Sequence, residues 1–115
     1  MNKEKQWVTI KDPLLSLSII KSIADKEKNK MINTAIRNSM TILKIIEISK
    51  VSKTSGYRKV KALIRAGLLI PDGYVKTNDG KKVTKYRSLF ENANISIEKN
   101  KVLVSIVTSF SILAT

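Results

Sequence analysis

The stretch from Thr41 to Leu69, TILKIIEISKVSKTSGYRKVKALIRAGLL, leaves little freedom to the fold around it. Ile42, Ile45, Ile46 and Ile48 mark a short apolar helix. Ser49-Lys50-Val51-Ser52 interrupts it with residues that favour caps and turns. A second helix is expected from about Lys53 to Ala66, with Ser52 or Thr54 as its N-cap. Gly67 stands where a glycine ends a helix. At about 100° per residue, Gly56, Val60, Leu63, Ile64 and Gly67 share one side of this second helix, and Thr54, Ser55, Arg58, Lys61, Ala62 and Arg65 share the other. The helix therefore has an apolar back and a front of hydroxyls and cations.

Two crossed helices with such a front have the physical form of a helix-turn-helix, whose second helix enters the DNA major groove. The run SMTILKIIEISKVSKTSGYRKVKALIRAGLL resembles the winged helix-turn-helix regulators of archaea and bacteria, the ArsR-like group. The residues that carry the likeness are Thr54 and Ser55, then Tyr57-Arg58, Leu63 and Ala66-Gly67-Leu68. It continues through YVKTNDGKKVTKYRS, residues 74–88, which stands in the place of the wing, and a C-terminal hairpin after it resembles archaeal members of the group.

The resemblance implies one α+β, mainly helical domain over residues 1–115. The helix-turn-helix would span about 41–67, a β-hairpin wing about 68–90 and a further C-terminal hairpin about 93–107. It also implies a sequence-specific transcriptional regulator that binds double-stranded DNA, paired as a homodimer over two half-sites. Gly56 departs from the pattern, because relatives often carry a small apolar residue there. It lowers helix propensity by ~1 kcal/mol relative to Ala, so a close approach of the neighbouring helix or of the DNA backbone is expected.

Charge supports a polyanionic partner. The chain carries a net +13 over 115 residues, and the distribution says more than the total. Residues 50–87 hold eleven cations against two acids, a net of +9, while residues 1–49 carry +4 and residues 88–115 are neutral. Lysines placed only for solubility would not leave the last quarter with no net charge.

Individual roles follow from position. Arg58 is expected to contact a base, since Arg bidentate to guanine is the commonest specific pairing. Thr54 and Ser55, near the helix N-terminus, suit phosphate or base edges. Lys53, Lys59, Lys61 and Arg65 are assigned to the DNA backbone, as are Lys76, Lys81, Lys82 and Lys85 around the Asn78-Asp79-Gly80 turn. Tyr57 lies at the edge of the apolar face, where its ring can pack while its hydroxyl reaches a phosphate.

Other chemistry finds little footing. There is no Cys and no His, which removes disulfides, soft-metal ligands, thiol nucleophiles and the commonest general base. The nine carboxylates are scattered, so no catalytic residues, metal site or cofactor are expected and the chain is not read as an enzyme. No signal peptide opens it, and no apolar run approaches the ~20 residues of a membrane span. A cytoplasmic, basic DNA-binding protein is the expectation. The alternatives are a sequence-indifferent chromatin or RNA-binding protein, and a winged helix acting as a protein-interaction module.

The flanks complete the reading. Trp7 to Ile10 reads as a short strand, with Trp7 as a packing anchor. Asp12-Pro13 starts a helix over residues 13–24 that is apolar over much of its circumference. Asp25 caps a following helix from Lys26 to about Asn38, with Met31, Ile32, Ala35 and Ile36 inward and residues 25–30 a solvated first turn. Met40 is a bridging strand residue. Pro71-Asp72-Gly73 reads as a turn before a strand over 74–77, and Lys82 to Phe90 as the returning strand. The second hairpin turns at Lys99-Asn100. The uncharged residues 108–115 and the apolar helix over 13–24 are the candidate dimer surfaces.

Overall fold

The computed structural model describes residues 6–108. It is an α+β fold of four helices and two three-stranded antiparallel sheets. In order the elements are β1 (Val8–Thr9), α1 (Pro13–Ala24), α2 (Lys26–Thr34), β2 (Met40–Thr41), α3 (Ile42–Ser49), α4 (Lys53–Arg65), β3 (Leu69–Lys76), β4 (Lys82–Ser88), β5 (Phe90–Glu98) and β6 (Lys101–Thr108). One sheet runs β2-β4-β3 and the other β1-β6-β5. The strands take up nearly as much chain as the helices, so the expected helical dominance is corrected. No helix among the described residues is long and apolar enough to cross a membrane.

Local chemistry sets the boundaries. Asp12 caps α1 by accepting from the Leu14 N–H, with Pro13 in the first turn. Thr41 caps α3 and Ser52 caps α4, each accepting from the N–H three residues on. Between them Lys50 takes the left-handed conformation at φ 58°, which ends α3 and redirects the chain. At the other end of α4 the Gly67 N–H donates to Ile64 O and the Leu68 N–H to Leu63 O. That double bond pattern needs the positive φ of 79° that Gly67 supplies.

The core lies where the four helices meet the bases of both sheets. Ile19, Met31, Ile32, Ala35, Ile45, Ile46, Val60, Leu63, Leu68, Leu69, Phe90, Val104 and Ile106 form one buried cluster. Gly56 belongs to this contact. A Cβ there would meet Ile46 Cγ2 at 3.0 Å and Val51 Cγ2 at 3.0 Å, so the close approach is to α3 and the segment after it.

Several boundaries differ from expectation. α2 stops at Thr34 rather than near Asn38, with Ala35 as its C-cap, and the end of β4 docks onto this turn. The Ser88 N–H donates to Ala35 O at 3.0 Å, the Ser88 hydroxyl to Ile32 O, and Arg87 Nε to Ile36 O at 3.1 Å. Pro71-Asp72-Gly73 is a bulge inside the continuous strand β3, where pairing with β4 shifts between Pro71 and Tyr74. Phe90 opens β5 instead of closing β4, so the second hairpin spans 90–108 rather than 93–107. Trp7 is no packing anchor. It lies just ahead of the two paired residues of β1 and is 54 % exposed. α1 buries only Ile19 and Ser22 fully and leaves Leu14 75 % exposed. Residues 109–115, assigned to a packing role, lie outside the described residues.

Candidate nucleic-acid interface

α4 is held by its apolar back, and that fixes what it shows outward. Gly56, Val60 and Leu63 are buried, while Lys53, Thr54, Tyr57, Arg58, Lys61 and Arg65 are exposed. At about 100° per residue these six fill one continuous arc. The expected front is thus rotated toward Tyr57, and Ser55 and Ala62 are half-buried on the flank facing α2.

On that flank α4 meets the start of α2. Lys59 is drawn into a cluster with the start of α2, its Nζ 3.0 Å from Asp25 and 3.0 Å from Glu27. Ser55 Oγ donates to the same Glu27 at 3.0 Å. Asp25 does double duty, since it also caps α2 by accepting from the Glu27 and Lys28 N–H groups. The Lys28 amide and then the Lys59 ammonium hold the Asp25 carboxyl below its usual range. Lys59, followed by Ser55, does the same for Glu27, and the two carboxylates raise Lys59. Residues 25–30 are therefore a structural joint and not a merely solvated turn. Lys59 and Ser55, expected at the DNA, are engaged here with Asp25 and Glu27 on the flank toward α2.

The first hairpin, β3–β4, shares the face of α4. Thr41, Ile42 and Leu43 at the start of α3, Tyr57 of α4 and Lys82, Val83, Thr84 and Tyr86 of β4 line one groove. Strand alternation puts Lys82, Thr84 and Tyr86 on the same side of the sheet. Their register partners Lys76 (opposite Lys82), Tyr74 (opposite Thr84) and Pro71 (opposite Tyr86) face the same way. Lys82 Nζ sits 4.7 Å above the Tyr74 ring. Lys76 and Lys82 stand directly opposite each other, an arrangement that repels unless an anion joins them. Lys85 alternates to the other side of the sheet and is half-buried, its Cε near the Gly73 bulge.

At the hairpin tip the Thr77 N–H donates to Lys81 O at 2.8 Å and the Gly80 N–H to Thr77 O at 2.9 Å, which closes the expected tight turn. The Thr77 hydroxyl donates to Asp79, which lowers the Asp79 carboxyl, and Lys81 lies 4.0 Å from the same carboxylate. Arg65 closes the far end of the α4 arc, where it lines a cleft with Asp12 and with Leu14 of α1.

Lys53, Thr54, Tyr57, Arg58 and Lys61 thus share one arc of α4, Lys76, Lys81 and Lys82 lie on the hairpin, and Tyr57 and Lys82 line the groove between them. Ser55, Lys59 and Lys85 stand apart. Sequence reading missed Thr41, Tyr74, Thr84 and Tyr86. The period-two alternation of Lys82, Thr84 and Tyr86 was the available signal for the last two. Comparison of the chain with known protein families, with curated proteins and with solved structures gives no match.

Proposed function

We propose that the chain is a winged helix-turn-helix protein of the ArsR-like type that binds double-stranded DNA and regulates transcription. In this reading α4 enters the major groove, and the β3–β4 hairpin is the wing lying along the backbone. Two copies read paired half-sites in the cytoplasm. Arg58 reads a base edge, Thr54 and Lys53 meet the DNA at the helix start, and Lys61, Lys76, Lys81 and Lys82 contact phosphate. No step of this function calls for a catalytic residue or a cofactor.

The observation that carries the reading is the shared groove of Tyr57 and Lys82. Because one side chain comes from α4 and the other from the hairpin, the cationic arc and the paired lysines address the same partner. The net +9 of residues 50–87 gives that partner its sign.

Competition binding tests it. Selection of a preferred site from random duplex, followed by titration against bulk duplex, should give a preference of ~10³-fold or more. Equal affinity for every duplex would identify a sequence-indifferent chromatin protein, tighter binding to RNA an RNA-binding protein, and negligible binding to either an interaction module.

A further inference from the structure

The two sheets treat their free edges differently. β3, an edge of the first sheet, carries Pro71, a bulge and Lys76, the devices that discourage a further strand from pairing. β5 is an edge of the second sheet, bonded only to β6 among the described residues. Its irregularity lies between Phe90 and Asn92, and from Asn92 to Glu98 the pairing with β6 is regular. In a chain with 22 Lys and Arg, none lies between Phe90 and Glu98, and neither does a proline.

The hairpin geometry fixes which β5 groups point outward. Lys99 and Asn100, at φ 49° and 66°, form a two-residue turn between the partners Glu98 and Lys101. Those partners exchange both backbone hydrogen bonds, so alternation leaves the N–H and C=O of Ile97, Ile95 and Ala93 facing away from β6. The same residues share a face with Val102, Val104 and Ile106. That face is buried at Val104 and Ile106 but runs out into solvent at Ile95, 40 % exposed, and Ile97, 72 % exposed.

We infer that β5 pairs with β5 of a second copy of this chain, antiparallel about a twofold axis at Ile95, to make one continuous six-stranded sheet. The inference rests on the proposed pairing of two copies and names its surface. Outward groups must meet outward groups, which excludes the register that would oppose Glu91 and Glu98. With the axis at Ile95, Ile95 faces its own copy, Ile97 faces Ala93, and Lys99 stands beside Glu91 of the second copy. Two apolar strips thereby become one.

Sedimentation of the full chain tests it with wild type, Ile95→Lys, Ile95→Glu and an equimolar mixture of the two variants. Wild type is expected to be dimeric at micromolar concentration and each variant monomeric there, because like charges meet at the axis. The mixture is expected to recover a dimer at low salt, which also shows that both variants are folded. A wild type that stays monomeric overturns both the pairing of copies and this surface. Variants that stay dimeric overturn the surface alone, and a mixture that stays monomeric overturns the register. DNA affinity measured on the same samples separates these outcomes from a failure of DNA binding itself.

Discussion

The Lys59 ammonium lies 3.0 Å from the Asp25 carboxylate, joining the middle of α4 to the residue that caps α2. The same ammonium holds Glu27 at 3.0 Å, so this joint ties the flank of α4 to the start of α2. Asp25 and Glu27 are held below their ordinary values, so their contribution to stability is present at neutral pH and is lost as pH falls through their folded values. Lys59 is raised, so its contribution is present below its ordinary 10.5 and is lost as pH rises through the higher folded value. The largest single cause of the Asp25 shift is the Lys28 amide, which survives loss of Lys59, whereas Lys59 is the largest cause for Glu27, so Glu27 reports the joint best. Thermal melts of wild type and Lys59→Met should show the largest gap between pH 6 and 9, a window inside those limits. The gap should narrow on acidification below the ordinary Glu value of 4.5. A gap that widens in acid would show that the ion pairs do not hold the joint.

Gly56→Ala separates helix propensity from packing. Propensity alone favours Ala by ~1 kcal/mol. The new methyl would meet Ile46 at 3.0 Å and Val51 at 3.0 Å, and Ile46 is buried and β-branched, so it has little room to yield. Overpacking of this kind costs about 1–3 kcal/mol, and the net expectation is destabilisation. Urea titration checks it, and a variant more stable than wild type would mean that α3 moves aside.

Ser88 is fully buried, and its hydroxyl donates to Ile32 O near the end of α2. Ser88→Ala keeps the backbone bond to Ala35 but strips that carbonyl of a donor. The Ala35 N–H still serves that carbonyl, so a loss of about 0.5–1.5 kcal/mol is expected, read by denaturant titration. Amide exchange should also quicken in the last turn of α2, while α4 keeps its protection.

On DNA, three variants should behave differently. Arg58→Ala should lose about 1–3 kcal/mol on the selected site and far less on random duplex. Replacing Lys76 and Lys82 together with Ala should weaken all duplexes alike and flatten log K against log salt by ~0.9 per lost phosphate contact. Lys59→Met should leave the salt slope unchanged, because that charge is already paired within the protein. A slope that falls with Lys59→Met would return that residue to the DNA face.

Much of this molecule was legible locally. Asp12-Pro13, Asp25, Ser52 and Gly67 announced their caps, and the apolar backs of α3 and α4 followed from helical spacing. Such signals act within one or two turns, so they can be read without knowing the rest of the chain. Asn78-Asp79-Gly80 and Lys99-Asn100 likewise declared their turns through residues that accept positive φ or bond their own backbone.

The chain alone therefore determined the helices, the turns, the apolar stripes and where the positive charge is carried. Tertiary structure decided what each of these meets. Lys59 and Arg58 are adjacent cations, and only the arrival of Asp25 and Glu27 from α2 made one a joint and left the other free to face outward. The end of α2 and the residues just after it are met by Ser88 and Arg87, more than fifty residues on. Trp7, just ahead of the residues of β1 that pair with β6, is left half exposed. In each case the deciding partner is distant in sequence. No spacing rule reports a contact whose energy arises only when two remote surfaces close on each other.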